Sequence, residues 1–199
     1  MIFARTTSAD DTKALAAALA ELARPGDLLL LAGDLGAGKT AFTQGFGAAL
    51  GVEERITSPT FTLANTYAGR LELNHLDVYR LDAVNEVLDL GVPEMLDDGG
   101  VTVIEWGDTV APALPSDYLE VRFTFTDGAD DERILELVPV GSRWMARTRA
   151  LAAALAPWIH EADAAVARPT SAPPAVSPAD GRAAPDLPAT PENPETDPC

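Results

Sequence analysis

The segment Gly33–Thr40, which reads Gly-Asp-Leu-Gly-Ala-Gly-Lys-Thr, constrains the fold of this chain more than any other feature. It matches the pattern G-x-x-x-x-G-K-[ST], in which glycines let backbone N–H groups approach phosphate oxygens closely. In such a loop Lys39 places a positive charge on the β- and γ-phosphates, and the Thr40 hydroxyl binds Mg²⁺. We therefore predict a nucleotide-binding loop (P-loop) whose contacting residues are Asp34, Leu35, Gly36, Ala37, Gly38, Lys39 and Thr40.

The sequence on either side of this loop fits the strand, loop and helix that the motif requires. Asp27–Ala32 is a short apolar run between Pro25-Gly26 and Gly33, which predicts a buried parallel strand. Lys39–Leu50 has apolar residues at helical spacing and is followed by Gly51, so it predicts a helix whose amino end points at the phosphates. The apolar positions of this helix are Ala41, Phe42, Phe46, Ala49 and Leu50.

Periodicity and turn residues predict the remaining elements. Helices are predicted at Asp10–Leu22, Asp82–Leu90 and Ser142–Trp158. Strands are predicted at Phe61–Tyr67, Leu71–Asp77, Val101–Glu105, Tyr118–Thr126 and Arg133–Val138. The first two of these strands are expected to pair as a hairpin, and so are the last two.

The composition changes sharply near the carboxyl end. Residues 169–199 hold nine of the 16 prolines and almost no large apolar side chain. Such a segment cannot bury enough surface to offset the entropy lost on ordering. We therefore predict one ATPase domain at residues 1–164 and a proline-rich disordered tail at residues 165–199.

Charge and cysteine content restrict the partners and the compartment. The net charge of −17, from 31 acidic and 14 basic residues, argues against direct binding of DNA or RNA, which needs patches of Lys or Arg. Any RNA substrate is therefore expected to be held by a partner protein. The one cysteine is Cys199, so no disulfide forms within the chain. With neither a signal segment nor an apolar run of spanning length, the chain is expected in the cytoplasm, away from membranes.

Three further residues supply chemistry that a nucleotidase needs. Asp77 and Glu105 end predicted strands, where a carboxylate next to the P-loop strand is placed to bind Mg²⁺. Taken alone, either acid is also compatible with a helix cap, a turn or a sheet rim. Thr60 lies in a loop after Thr40 and is similar to the threonine that contacts Mg²⁺ and the γ-phosphate in switch loops. We predict Asp77, Glu105 and Thr60 as catalytic residues and Thr40, Asp77 and Glu105 as metal ligands. His75 is expected to be packed or hydrogen-bonded rather than a ligand.

Four motifs, taken together, resemble the TsaE family (formerly YjeE) in order and spacing. They are Gly33–Thr40, Ser58–Thr62, His75–Leu81 and Ile104–Trp106. The resemblance spans about residues 3–157 and implies an α/β fold, a P-loop NTPase-like three-layer domain with a mixed, mainly parallel central sheet. It also implies binding of ATP and Mg²⁺. The implied role is an ATPase that supports the complex of TsaB with TsaD, which transfers the threonylcarbamoyl group to adenosine 37 of tRNAs reading ANN codons.

The resemblance also implies roles for single residues. Lys39 would hold phosphates, Thr40 and Glu105 would bind Mg²⁺, and Asp77 would act at the metal or at the attacking water. Thr60 would belong to a switch-like loop.

Three weaker assignments complete this set. The resemblance implies that Trp106 supports Glu105 and that Thr6–Thr12 lies near the adenine. Arg80 could act as an internal arginine finger, although a structural ion pair is the simpler expectation.

Two other functions stay open at this point. A small-molecule or nucleoside kinase would use the same P-loop, but the chain contains no Arg-rich lid segment. A non-catalytic adaptor would bind nucleotide only to order a loop, and the set of Thr60, Asp77 and Glu105 argues against it. No guanine-reading N-K-x-D motif occurs, so ATP is preferred over GTP.

Overall fold

The computed structural model describes residues 1–79, 92–126 and 128–159, and a seven-stranded mixed sheet forms its centre. The strands are β1 (Ile2–Thr6), β2 (Asp27–Ala32), β3 (Ala64–Tyr67), β4 (Leu73–Asp77), β5 (Val101–Glu105), β6 (Tyr118–Thr126) and β7 (Ala129–Val140). Their order in the sheet is β1-β7-β6-β2-β5-β4-β3. Neighbours among β6, β2, β5 and β4 pair in parallel, whereas β1, β7 and β3 join through antiparallel pairs. The mixed, mainly parallel α/β sheet is therefore confirmed.

Helices cover both faces of the sheet and make the domain three-layered. They are α1 (Ala9–Ala20), α2 (Lys39–Ala49), α3 (Val92–Asp97), α4 (Gly141–Met145) and α5 (Thr148–Ala154), with short 3₁₀ segments at Gly107–Thr109, Ala111–Ala113 and Ala156–Trp158. One apolar cluster joins α1, α2, α4 and α5 to one face of the sheet. A smaller cluster joins α3, Val110 and the 3₁₀ residue Ala111 to the other face.

Strand β2 is buried on both faces because its sequence is apolar at every position after Asp27. Leu29 and Leu31 pack into the larger cluster, and Leu28 and Leu30 into the smaller one. A strand with two apolar faces is stable only between two layers, so the sequence places β2 at the centre of a sheet.

The parallel register brings three strand ends together. Leu31 of β2 and Asp77 of β4 are both aligned with Glu105 of β5. The carboxyl ends of these three strands therefore form one edge, and the P-loop leaves β2 at that edge. This edge of an open α/β sheet is where ligands bind in such folds.

The first predicted hairpin is confirmed, but its first strand begins three residues later than predicted. Phe61–Leu63 form a turn, in which the backbone N–H of Leu63 donates to the carbonyl of Pro59 at 2.7 Å. Leu63 also has a φ of 65°, a left-handed conformation that no strand residue adopts. Pairing with β4 therefore begins at Ala64.

The predicted continuous helix Ser142–Trp158 is wrong, because α4 ends at Met145 and α5 begins at Thr148. Between them Arg147 turns inward and pairs with Asp27 at the start of β2, with nitrogen–oxygen distances of 2.6 and 2.7 Å. The Arg147 backbone, at φ −98° and ψ 2°, departs from helical geometry. A buried ion pair thus determines where the helix is interrupted.

Several sequence predictions concern residues outside those described. They are the helix Asp82–Leu90, Arg80 and the tail at residues 165–199, together with the domain boundary at residue 164. They stay predictions. Among the described residues, no helix is both long enough and apolar enough to span a bilayer.

Candidate functional site

A cleft of about 390 Å³ opens where the P-loop leaves β2. We call it the P-loop cleft, and its lining residues are Leu35, Gly36, Gly38, Lys39, Thr40, Ala41, Ser58, Thr60, Asp77, Tyr79, Glu105 and Trp106. All but two of the residues predicted for the site line this cleft. The exceptions are Asp34, which is exposed, and Ala37, which is fully buried.

The glycines of the loop have two separate functions. Gly36 and Gly38 have φ values of 80° and 108°, and no atom lies within 4 Å of the point where a Cβ would stand. They give the backbone its left-handed turns and leave space beside it, as a phosphate-binding loop requires. Gly33 is different, because a Cβ there would lie 2.7 Å from the carbonyl oxygen of Phe123 in β6. Gly33 therefore lets the loop pack against the sheet.

Lys39 is buried, with 4% of its surface exposed. Its Nζ donates to the carbonyls of Gly33 at 2.6 Å and Asp34 at 2.9 Å, and lies 3.8 Å from the centre of the Trp106 ring. Burial lowers the pKa of Lys39, while nearby carboxylates, Glu105 first, act in the opposite direction. The amine is thus held in place by neutral acceptors that an anionic ligand can replace.

Glu105 ends β5 beneath the P-loop and is 3% exposed. Its Oε1 accepts a hydrogen bond from Thr40 Oγ1 at 2.8 Å and lies 2.9 Å from Nε2 of His75. With an ionised Glu105, which only accepts, Nε2 would be the donor in this contact. Two side chains from α2 and β4 therefore fix the orientation of Glu105.

Asp77 ends β4 and is aligned with Glu105 on the adjacent strand. Its Oδ2 accepts from Thr60 Oγ1 at 2.7 Å and from Ser58 Oγ at 3.0 Å. Its Oδ1 accepts from the backbone N–H of Tyr79 at 3.1 Å. The structure thus brings Thr60 and Asp77 into direct contact, next to the strand that ends in Glu105.

The chemistry of this set fits a magnesium ion that arrives with a nucleotide. Thr40, Asp77 and Glu105 present oxygen atoms, which are the ligands that Mg²⁺ prefers. The described residues contain no group of three or more His, Cys, Asp or Glu that could hold a metal ion by itself. Mg²⁺ is commonly bound through one or two carboxylates together with substrate phosphates and water, so two acids and a hydroxyl are sufficient.

Trp106 contacts Lys39 and Tyr79 in the structure. Its ring lies 4.9 Å from that of Tyr79, and its φ of 63° directs the chain sharply away from β5. The side chains of Thr40 and His75 hydrogen-bond to the Glu105 carboxylate. The predicted support of Glu105 by Trp106 stays a prediction.

Sequence reasoning missed the roles of His75 and Ser58. Side chains alternate along β4, so His75 and Asp77 lie on the same face. A histidine two residues before a predicted catalytic acid could therefore have indicated that His75 lies near the site. Ser58 stands two residues before Thr60 and shares its acceptor on Asp77. The expectation that His75 is hydrogen-bonded is confirmed. The segment Thr6–Thr12 does not line the P-loop cleft, and its proposed proximity to adenine stays a prediction.

Comparisons with known proteins agree with this geometry. A protein-family model described as "Threonylcarbamoyl adenosine biosynthesis protein TsaE" matches residues 6–134, more than half of the chain. The tRNA threonylcarbamoyladenosine biosynthesis protein TsaE of Bacillus subtilis (strain 168) is 43% identical over 141 residues, which cover 70% of this chain and 87% of that relative. The protein of the same name from Treponema pallidum (strain Nichols) is 47% identical over 108 residues, 54% of this chain and 80% of that one.

A solved structure shows the same fold. The crystal structure of Bacillus subtilis YdiB superposes with a TM-score of 0.66 at 36% sequence identity. The match covers 77% of this chain and 97% of that chain.

Proposed function

The chain belongs to the TsaE family of threonylcarbamoyl adenosine biosynthesis proteins, and we propose that it serves tRNA threonylcarbamoylation as a magnesium-dependent ATPase. Its substrate in this proposal is ATP. Hydrolysis supports turnover of a TsaB–TsaD complex that modifies adenosine 37 in tRNAs reading ANN codons. The protein acts in the cytoplasm and touches tRNA only through these partners.

One observation carries the proposal: the P-loop lysine, the P-loop threonine and two strand-end acids line one cleft. Thr40, Asp77 and Glu105 would hold Mg²⁺, which neutralises charge on the β- and γ-phosphates. Lys39 exchanges its carbonyl acceptors for phosphate oxygens and keeps a positive charge beside the bond that breaks.

Asp77 has the geometry of a residue that orients water. Its carboxylate is held by three donors, and both hydroxyl donors come from the loop that contains Ser58 and Thr60. A carboxylate fixed in this way holds its remaining acceptor site in one direction, which is what positioning of a nucleophile requires.

The same contacts give a mechanism for coupling to partners. Ser58 and Thr60 bond to Asp77, and phosphate with Mg²⁺ at this point offers Thr60 alternative partners. The loop therefore has a different set of contacts in each nucleotide state, so a partner that binds the loop distinguishes those states. Phe61 in this loop is 85% exposed.

The net charge of −17 adds an electrostatic component. An acidic protein associates fastest with a basic face, and salt weakens that attraction. We expect the complex with TsaB–TsaD to form more slowly as salt increases.

Sedimentation of the three purified proteins with ATP, with ADP and without nucleotide tests the proposal. We expect the strongest association in one nucleotide state and faster ATP hydrolysis in the complex than in the isolated chain. Equal association in all three states would refute the switch. Association that depends on nucleotide without any hydrolysis would identify an adaptor, and phosphate transfer to a small acceptor would identify a kinase.

A further inference from the structure

An arginine far away in sequence contacts the P-loop from the sheet. Nε of Arg133 in β7 donates to the carbonyl oxygen of Ala37 at 3.2 Å. Its guanidinium lies 4.4 Å from the centre of the Phe125 ring, and Nη1 donates to the carbonyl of Glu132 at 2.7 Å. Arg133 does not line the P-loop cleft, so this contact reaches the loop from behind.

The contact determines the direction of one peptide plane. In a trans peptide the C=O and the following N–H point in opposite directions. Because the carbonyl of Ala37 points at Arg133, the N–H of Gly38 points the other way, and Gly38 lines the cleft. This N–H is therefore one of the donors available to a phosphate.

Glycine makes this orientation easy to lose. Gly38 has a φ of 108° with no atom within 4 Å of a Cβ position, so it has no side chain of its own that restricts rotation of the Ala37–Gly38 peptide. An outside hydrogen bond to the Ala37 carbonyl supplies the missing constraint. Stacking on Phe125 and the bond to the Glu132 carbonyl hold the guanidinium in turn.

We propose that Arg133 is a positioning residue that presets the Ala37–Gly38 peptide so that the Gly38 N–H faces the phosphates. The inference rests on the proposed function, because it concerns the affinity of the same cleft for ATP. It adds a residue from β7, 96 positions away from Ala37, to the determinants of phosphate binding.

The chain offers a matched control for a test. Arg122 on the neighbouring strand β6 pairs with Glu120 at 2.7 Å and Glu136 at 3.6 Å and does not line the cleft. Arg133→Met and Arg122→Met remove the same charge and keep an apolar stem. Arg133→Lys keeps the charge and a donor but loses the planar group, and it serves if Arg133→Met does not fold.

The experiment records the ¹H–¹⁵N amide spectrum and ATP–Mg²⁺ binding by calorimetry for the full chain and these variants. In Arg133→Met, we expect the Gly38 amide signal to shift before any ligand is added and the Kd for ATP to rise about three- to tenfold. Both the Gly38 shift and the Kd of Arg133→Lys should lie between those of Arg133→Met and the wild type. Arg122→Met should leave both the Gly38 signal and the Kd unchanged.

Two results would overturn the inference. Weaker ATP binding with an unmoved Gly38 signal would mean that Arg133 contacts the nucleotide directly, and an unchanged Kd would remove its role. If the wild-type chain binds no ATP, the proposed function fails separately. Titration with inorganic pyrophosphate and Mg²⁺ then tests the inference. The inference holds only if Arg133→Met binds pyrophosphate more weakly than the wild type and its Gly38 amide signal is shifted.

Discussion

The two ends of strand β2 hold buried charges in opposite ways. At the amino end, Asp27 and Arg147 are 1% and 5% exposed and neutralise each other through two short contacts of 2.6 and 2.7 Å. At the carboxyl end, Lys39 is equally buried, but its amine bonds to carbonyls. No ion pair of Lys39 occurs within the described part of the chain.

The difference predicts which charges serve the fold and which serve a ligand. A buried pair that satisfies itself has nothing left to bind, and removing one partner leaves an uncompensated charge. A buried amine surrounded by neutral acceptors is costly to fold, as the lowered pKa of Lys39 indicates. A protein can keep such an unfavourable free energy of folding at a position where ligand binding compensates for it. We therefore expect substitutions at the amino end of β2 to change the free energy of unfolding. Substitutions at the carboxyl end should change ATP binding and turnover.

The largest expected effect is on stability, at the amino end. Arg147→Met should lower the free energy of unfolding by about 3–5 kcal/mol, because Asp27 remains buried without its partner. The double variant with Asp27→Asn should recover part of this loss. Arg143→Met is the control, since that side chain is 52% exposed and lies 3.7 Å from Asp27, and it should cost less than about 1 kcal/mol. Urea unfolding measures the free energy of unfolding of each variant. A loss below about 1 kcal/mol in Arg147→Met would contradict the proposed contrast between the two ends of β2.

This ion pair also shows what sequence reasoning could not reach. Strands β2 and β5 match their predicted bounds, because unbroken apolar runs with turn residues beside them identify buried strands from local information. The break in the helix Ser142–Trp158 was missed because the partner of Arg147 lies 120 positions away. Local periodicity contains no trace of such a partner.

The grouping of the predicted site residues in one cleft was predictable for a similar reason. A P-loop motif fixes a backbone shape, so the positions of Lys39 and Thr40 follow from eight consecutive residues. Asp77 and Glu105 could be placed because strand ends meet at one edge of a parallel sheet. The contacts of His75 with Glu105 and of Arg133 with Ala37 depend on register and side-chain packing, which only the assembled sheet determines.

The second prediction concerns turnover at the carboxyl end. Glu105→Gln keeps oxygen and size but loses the charge that a divalent cation requires, so partner-stimulated ATP hydrolysis should fall by at least about 100-fold. The free energy of unfolding should change by less than about 1 kcal/mol, because Thr40 and His75 keep their acceptor. Asp108→Asn, at an exposed acid near Lys39, should keep most of the activity. A Glu105→Gln protein with normal turnover would remove Glu105 from the proposed metal site.

The third prediction separates binding from stability at Lys39. Lys39→Met should weaken ATP–Mg²⁺ binding by at least about tenfold, since a charge-assisted contact with phosphate contributes about 1.5–3 kcal/mol. Its free energy of unfolding should be unchanged or higher, because the fold disfavours the charged amine that the variant removes.

Lys13→Met is the matched control for Lys39→Met. Lys13 pairs with Asp10 at 2.9 Å on the surface of α1, outside the P-loop cleft. Removing the same charge there should leave ATP affinity unchanged in calorimetry. A Lys39→Met protein that loses stability but keeps its affinity would mean that Lys39 serves the fold, and the contrast between the two ends of β2 would disappear.

The smallest expected effect concerns how Glu105 is held. His75→Leu removes one of the two contacts of Oε1, so Thr40 alone holds Glu105, and the Mg²⁺ concentration needed for half-maximal hydrolysis should rise about tenfold. His75→Gln keeps an N–H donor of similar reach and should recover part of that affinity. Rescue by Gln but not by Leu would show that the hydrogen bond matters, because both variants lose the imidazole. If both variants lose the same stability but keep the Mg²⁺ dependence of the wild type, His75 contributes packing alone. The residues at this sheet edge that act on a ligand would then be Lys39, Thr40 and the two acids.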